Sequence, residues 1–278
     1  MPDGRLVVCA TPIGNLGDVT LRVLEALKGA DVVEAEDTRV TRKLFARYGI
    51  STPLESYHAK NLERRTPEVV ARIASGRVVA LVSDAGTPGV SDPGAHLVGA
   101  CLEAGLAVEV LPGASAILTA LVASGLPTHA FYFGGFLPRK AGERRRAIEA
   151  LAGLEATLVF YESPRRTATT LATLAEVLPG REAVVAREMT KLHEEVARGE
   201  VRELSAAFQA RELKGEVVLL VGPPVRGATR AAADAGDVRA QVEAAVAQGA
   251  TRKDAVRDVA AKMGLPRNEV YRIAIGGP

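Results

Sequence analysis

Ser83-Asp84-Ala85-Gly86-Thr87-Pro88-Gly89-Val90-Ser91-Asp92-Pro93-Gly94 follows directly on Val78-Val79-Ala80-Leu81-Val82. The short apolar run, rich in valine and bounded by turn residues, reads as a buried strand. Three glycines and two prolines in the next twelve residues can neither continue that strand nor build a helix. Asp92 is a good N-cap and Pro93 a favoured first helical residue, so a helix restarts there. Strand, shaped polar loop and helix start together make the ligand-binding corner of an α/β sheet.

Two more corners share this design. Leu6 to Ala10 predicts a first strand, followed by Thr11-Pro12-Ile13-Gly14-Asn15-Leu16-Gly17. Ala107 to Leu111 predicts another, followed by Pro112-Gly113-Ala114-Ser115. Strands alternating with helical periodicity argue for mostly parallel sheets, whose carboxyl ends converge on one crevice. The pattern predicts two α/β halves, residues 1–114 and 115–223. Residues 224–237, rich in Ala, Gly and Pro, read as a linker. Residues 238–278 read as three short helices, two of them a helix-turn-helix around Gly264-Leu265-Pro266. That last segment carries seven Lys/Arg against four Asp/Glu.

Composition narrows the class. At 278 residues, 47% hydrophobic and 24% charged, the chain can bury a large core. No apolar run reaches membrane-spanning length, and Met1-Pro2-Asp3-Gly4-Arg5 lacks a signal-peptide layout. The two cysteines, Cys9 and Cys101, exclude a disulfide framework. A cytoplasmic protein without a membrane partner is expected. The four histidines show no metal-ligand spacing, and no metal is expected. There is no G-x-G-x-x-G fingerprint and no Walker-type phosphate loop.

Several strand ends carry chemistry. Ala35-Glu36-Asp37-Thr38-Arg39 places an acidic pair where it can cap a helix or serve as a base. Tyr161-Glu162-Ser163-Pro164-Arg165-Arg166 joins an aromatic ring, a carboxylate and two guanidiniums, read either as a solvated helix start or as a phosphate contact. Arg139-Lys140 and Arg144-Arg145-Arg146 follow the aromatic stretch Phe131-Tyr132-Phe133-Gly134-Gly135-Phe136. That run is either a solvated helix face or a nucleic-acid track.

Thr11 to Leu16, Ala35 to Arg39, the Ser83 to Gly94 loop, Phe136-Leu137-Pro138, Phe160 to Ser163 and Ala186-Arg187-Glu188 resemble the rRNA-modifying members of the tetrapyrrole methylase superfamily. The resemblance spans nearly the whole chain. It implies two α/β domains with S-adenosyl-L-methionine in the cleft between them, and a homodimer. It also implies 2'-O-methylation of a cytidine ribose in the 16S rRNA of the 30S subunit, near the decoding centre. Cofactor contacts carried over by motif are Thr11, Pro12, Asp84, Gly86, Thr87, Ala114, Ser115, Tyr161 and Ala186. Pro-Gly-Ala-Ser at 112–115 departs from the Pro-Gly-Pro-Cys of some relatives, with small residues in both. Catalytic candidates are Glu36, Asp37 and Glu162, with Lys140 and Lys191 also in reach of the argument. Candidate RNA contacts are Arg39, Arg139, Lys140, Arg144, Arg145, Arg165, Arg166, Arg252 and Lys253. Two alternatives stay open: a tetrapyrrole C-methyltransferase on the same fold, and a non-catalytic nucleic-acid-binding protein.

Overall fold

A computed structural model describes residues 4–224, 228–263 and 267–275, with backbone alone at 228–237, 261–263, 268 and 269. The chain divides into two compact units at Pro223/Pro224. The first unit holds two five-stranded sheets. The expected division at 114/115 falls between these sheets.

The first sheet is built from β1 (Arg5–Cys9), β2 (Val32–Ala35), β3 (Leu54–Ser56), β4 (Val78–Val82) and β5 (Ala107–Leu111), linked by α1 (Leu21–Gly29), α2 (Thr38–Tyr48), α3 (Leu62–Ala74) and α4 (Gly94–Glu103). All pairings are parallel, in the order β3-β2-β4-β1-β5. Alternation along β1 feeds two cores: Val7 and Cys9 pack with Val23, Leu27 and Leu44 of α1 and α2, while Leu6 and Val8 pack with Val69, Ile73 and Leu97 of α3 and α4. Burial pushes the Cys9 thiol up to about 12, as befits a small core residue. The chain leaves β1 for a helix on one face and leaves β4 for a helix on the other. β1 and β4 are neighbours, so the topological switch point lies between their carboxyl ends.

The second sheet comprises β6 (Phe131–Phe136), β7 (Thr157–Glu162), β8 (Glu182–Arg187), β9 (Glu195–Glu200) and β10 (Val217–Val221), with α5 (Ala116–Ser124), α6 (Ala141–Glu149), α7 (Thr167–Val177) and α8 (Val201–Phe208). Its order is β6-β7-β10-β8-β9, and only β6–β7 is parallel. The expected mostly parallel sheet is thus corrected to a mixed one. The seven residues between β8 and β9 are too few for a parallel crossover, so those strands form an antiparallel hairpin. One face packs on α6, α7 and α8 through Ile148, Leu171, Leu174, Leu204 and Phe208. The other packs on Ile117 and Leu121 of α5 and buries Ile13 from the first corner, which ties the two halves together.

The second unit consists of α9 (Ala228–Ala247), α10 (Arg252–Met263) and α11 (Arg267–Ile275), packed pairwise around Val238, Val242, Val256, Val259 and Val270. The expected linker over 224–237 is corrected, because α9 already begins at Ala228. Its alanines favour helix strongly enough to carry Gly236, which costs about 1 kcal/mol in a helix. The turn at 264–266 lies outside the described residues. No helix among the described residues is long and apolar enough to cross a membrane.

A buried charge network braces β2, β3 and α3. Glu34 is fully buried, and Arg65 bonds it, together with Glu55 at 2.6 Å and Glu68 at 2.7 Å. Glu34 Oε2 and Arg65 Nε find no hydrogen-bond partner, so the network is only partly satisfied. Arg65→Ala strands Glu34 without its main countercharge and is expected to cost about 3–5 kcal/mol in urea unfolding, whereas the apolar double replacement Glu34→Leu/Arg65→Met recovers most of that loss.

Candidate functional site

The switch point is closed by a two-way backbone bridge. Thr11 N donates to Gly86 O at 2.8 Å and Gly86 N donates to Thr11 O at 3.0 Å. The Thr11 hydroxyl adds a bond to the Ser83 carbonyl at 3.1 Å. Gly86 has a φ of +76°, a conformation that is costly for any residue with a Cβ. A Cβ on Gly86 would stand 3.7 Å from the Ala114 carbonyl, so the third corner lies against the second. Asp92 Oδ1 accepts from Gly89 N at 2.8 Å and Gly94 N at 2.7 Å, which folds the loop back and starts α4.

A cavity of about 490 Å³ opens beside this bridge, within the size range of small-molecule sites. Its walls come from both halves. Glu36, Asp84, Gly86, Thr87 and Asp92 line it from the first sheet, and Phe136, Tyr161 and Glu216 from the second. Tyr161 stands edge-on to Phe133 at 4.9 Å between ring centroids and tilted to Phe136 at 5.6 Å. The site is therefore an aromatic wall facing carboxylates, an arrangement that attracts a cation carrying apolar surface.

The carboxylates hold one another under tension. Burial, then the charge of Asp84, raises the Glu36 pKa against a backbone hydrogen bond from Asp84. Burial likewise raises Asp84, which accepts from Asp37 N at 2.9 Å and feels the charges of Asp37 and Glu216. Burial and the same acidic surroundings raise Tyr161.

The sequence-derived candidates separate by position. Asp84, Gly86, Thr87, Ser115, Tyr161, Glu36 and Glu162 all line this cavity. Thr11 and Pro12 line an adjoining one. Ser115 also caps α5. Ala114 presses on Gly86, and Ala186 is buried in the layer that packs Tyr161; neither lines either of these two cavities. Asp37 caps α2 and grips Arg39, whose hydrogen bonds pull its carboxyl down to about 2. Glu162 is spent structurally: its buried carboxylate accepts from Ser163 N at 2.8 Å, Thr170 Oγ1 at 2.6 Å and Arg166 at 3.1 Å. Arg166 also donates to the Leu137 carbonyl at 2.6 Å. Arg144 is buried against Thr173 at 3.0 Å and the Arg139 carbonyl at 3.2 Å. Arg144 and Arg166 are thus internal braces: each is anchored to groups within the fold, and the buried Arg166 Nε has no partner. Arg139, Arg165, Arg252 and Lys253 are exposed. Arg39, Lys140 and Arg145 are exposed too, in surface pairs with Asp37, Glu143 and Glu176.

Sequence reasoning missed Glu216 and Ser91, which line the cavity. Ser91 has a left-handed φ of +65°, invisible in a residue type tolerant of most turns. Glu216 begins beside β10 with only Gly215 as a local signal. The structure brings both to the strand ends through topology that no local pattern encodes.

Comparison with known proteins places these observations. A sequence model of the family described as Tetrapyrrole (Corrin/Porphyrin) Methylases matches residues 5–205. The Ribosomal RNA small subunit methyltransferase I of Synechocystis sp. is 43% identical over 276 residues, covering 98% of this chain and 98% of that one. Its namesake from Mesorhizobium japonicum is 51% identical over 220 residues, 78% of this chain and 75% of that one. Uroporphyrin-III C-methyl transferase from Thermus thermophilus, solved in complex with S-adenosyl homocysteine, superposes with a TM-score of 0.56 at 20% identity, covering 80% of this chain and 99% of that one. At that identity the likeness concerns the fold alone.

The repulsion at the site has a measurable consequence. Asp84→Asn keeps an acceptor for Asp37 N and removes a charge disfavoured by burial and neighbouring acids. The ligand-free variant is expected to melt about 1–2 °C above the parent at pH 7, a gain kept small by solvent screening. A carboxyl whose folded pKa is raised loses stability as pH rises through that raised range, so the advantage of the variant must vanish at acid pH, where Asp84 is protonated.

Proposed function

The chain belongs to the tetrapyrrole methylase family, and from that premise we propose that it methylates the ribose 2'-hydroxyl of a cytidine in 16S rRNA of the 30S subunit, near the decoding centre. It is an S-adenosylmethionine-dependent methyltransferase, and its relatives over nearly its full length are rRNA small subunit methyltransferases. The single observation that carries the reading is the acid-and-aromatic cavity at the switch point, built by both halves.

The residues present fit the cofactor. Tyr161 and Phe136 offer ring faces, and Glu36, Asp84 and Glu216 offer negative charge, which together suit a sulfonium-bearing nucleoside. Gly86, without a side chain and beside Thr87 on the cavity wall, allows close approach to the backbone, with Thr11, Pro12 and Ser115 flanking it. When bound, the cofactor supplies a methyl group on a positively charged sulfur. What the chain adds is alignment of the acceptor hydroxyl with that methyl carbon, an effect worth roughly 7–11 kcal/mol in favourable cases. Of the three acidic candidates, Glu36 is our choice to accept the hydroxyl proton. Asp37 is committed to its cap and Glu162 to Ser163, Thr170 and Arg166, whereas Glu36 faces the cavity with a raised pKa. Exposed Arg139 and Arg165, with Arg252 and Lys253 of the second unit, supply candidate contacts for RNA phosphates. Leu118 and Val122, one turn apart on α5 and 53% and 75% exposed, support a homodimer that covers them.

The decisive assay offers labelled S-adenosylmethionine with isolated small subunits, and separately with uroporphyrinogen. Label in subunit RNA, at a cytidine whose 3' linkage resists alkali, is expected. Label in the tetrapyrrole supports C-methylation instead, and label in neither supports a binding protein without catalysis. With subunits saturating, Glu36→Gln is expected to lower the rate about 10²–10⁴-fold. The parent rate should fall on acidification from a higher pH than an ordinary carboxylate would give, because Glu36 must be ionised to accept a proton and its pKa is raised.

A further inference from the structure

A second cavity, about 340 Å³, adjoins the first and shares Ile13, Ser83, Asp84, Ala85 and Glu216 with it. The two differ in charge. Among the described residues, none that lines the first cavity is a lysine or arginine. Lys43 and Lys191 line the second.

Lys191 occupies a built seat. Its stem crosses Gly14, where a Cβ would lie 2.5 Å from Lys191 Cγ. Its Nζ donates to Glu188 Oε1 at 2.8 Å and Glu216 Oε2 at 2.9 Å. Glu188 Oε1 also accepts from Glu216 N at 3.0 Å. A Cβ on Gly215 would stand 2.1 Å from that same oxygen. Glu188 and Thr190 both hold left-handed φ values, +53° and +68°, and the Thr190 hydroxyl accepts from Asn15 N at 3.1 Å. Two strained residues and two positions cleared of side chain converge on the placement of one ammonium. Strain of this kind persists where the surroundings over-determine it, and it clusters at functional sites. Burial alone would lower the Lys191 pKa, but Glu188 and Glu216 outweigh it and hold it raised. Lys191 therefore remains a donor and does not take up a proton from a hydroxyl.

A lysine-bearing cavity contiguous with one suited to a cation is placed for an anionic co-substrate. We propose that the second cavity receives the RNA backbone phosphate next to the methyl-accepting ribose, with Lys191 and Lys43 as its donors. This rests on the rRNA-methylating reading given above. Glu188 acts through Lys191 as a positioning residue, and Gly14 and Gly215 keep its geometry open.

The test measures equilibrium binding of the full chain to small subunits across a salt series, with S-adenosylhomocysteine present so that no transfer occurs. Lys43→Met and Lys191→Met are each expected to weaken binding about 3–10-fold at moderate salt and to reduce the slope of log K against log salt by about 0.7–0.9. Lys191→Arg retains most of the slope, and calorimetry gives Lys43→Met a cofactor affinity within about twofold of the parent, as expected if the charge alone is removed. Lys43 is exposed, so its variant reads phosphate binding without disturbing the Glu188–Glu216 clamp. Unchanged slopes in both methionine variants would overturn the proposal, as would a loss of cofactor affinity in Lys43→Met, which assigns the cavity to the cofactor. If the parent itself neither binds nor methylates subunits, the rRNA reading fails; a binding parent with indifferent variants fails the cavity assignment alone.

Discussion

The backbone bridge between Thr11 and Gly86 is the constraint on which the site depends. Parallel strands leave their loops free to splay once the ladder ends. Here Thr11, just past β1, and Gly86, in the loop after β4, stay paired, with N···O distances of 2.8 and 3.0 Å. That pairing fixes the mouth of the switch point, positions Asp84 against Asp37 and Glu36, and brings Ala114 of the third corner against Gly86. Ile13, two residues past Thr11, is then carried into the layer beneath the second sheet. One short bridge thus sets both the floor of the cavity and the seam between the halves.

The cavity has been shaped against stability. Glu36 is raised by burial and by the charge of Asp84, Asp84 by burial and by the charges of Asp37 and Glu216, and Ser91 and Glu188 hold left-handed backbone. Buried like charges and backbone strain are expensive, and they are retained where a ligand relieves them. A cation entering between Tyr161 and these acids would neutralise the repulsion, so ligand binding and local stability are coupled. The clamp of Lys191 by Glu188 and Glu216 separates this negative cavity from a neighbouring lysine-bearing one within the same set of strand ends.

Much of this was legible in the sequence, for reasons that differ by element. β4 and β5 were readable to the residue, because short valine-rich runs set between turn-forming segments admit few alternatives, even with Glu109 inside β5. A cap in the acidic pair Glu36-Asp37 was readable, since capping depends on neighbours two or three positions away, and Asp37 fills that place. The mixed second sheet was not, because strand order arises from crossovers that local periodicity does not record. α8 was hidden for another reason: Glu200 and Glu203 form a capping box inside a stretch whose preceding residues alternate like a strand. Glu162 and Arg166 were attractive as chemistry from spacing alone. Only packing reveals that Thr170 and the Leu137 carbonyl engage them inside the fold. Glu216 and Lys191 come together from positions 25 residues apart, a meeting set by topology.

We propose that the Gly86 bridge shapes the S-adenosylmethionine site. Calorimetric titration of S-adenosylmethionine into the Gly86→Ala protein, with circular dichroism confirming an intact fold, tests it most directly. A Cβ at φ +76° costs roughly 1–2 kcal/mol in the bridged conformation. The account predicts a loss of cofactor affinity of about 5–30-fold, the same energy expressed as a binding constant. Affinity equal to that of the parent would contradict it.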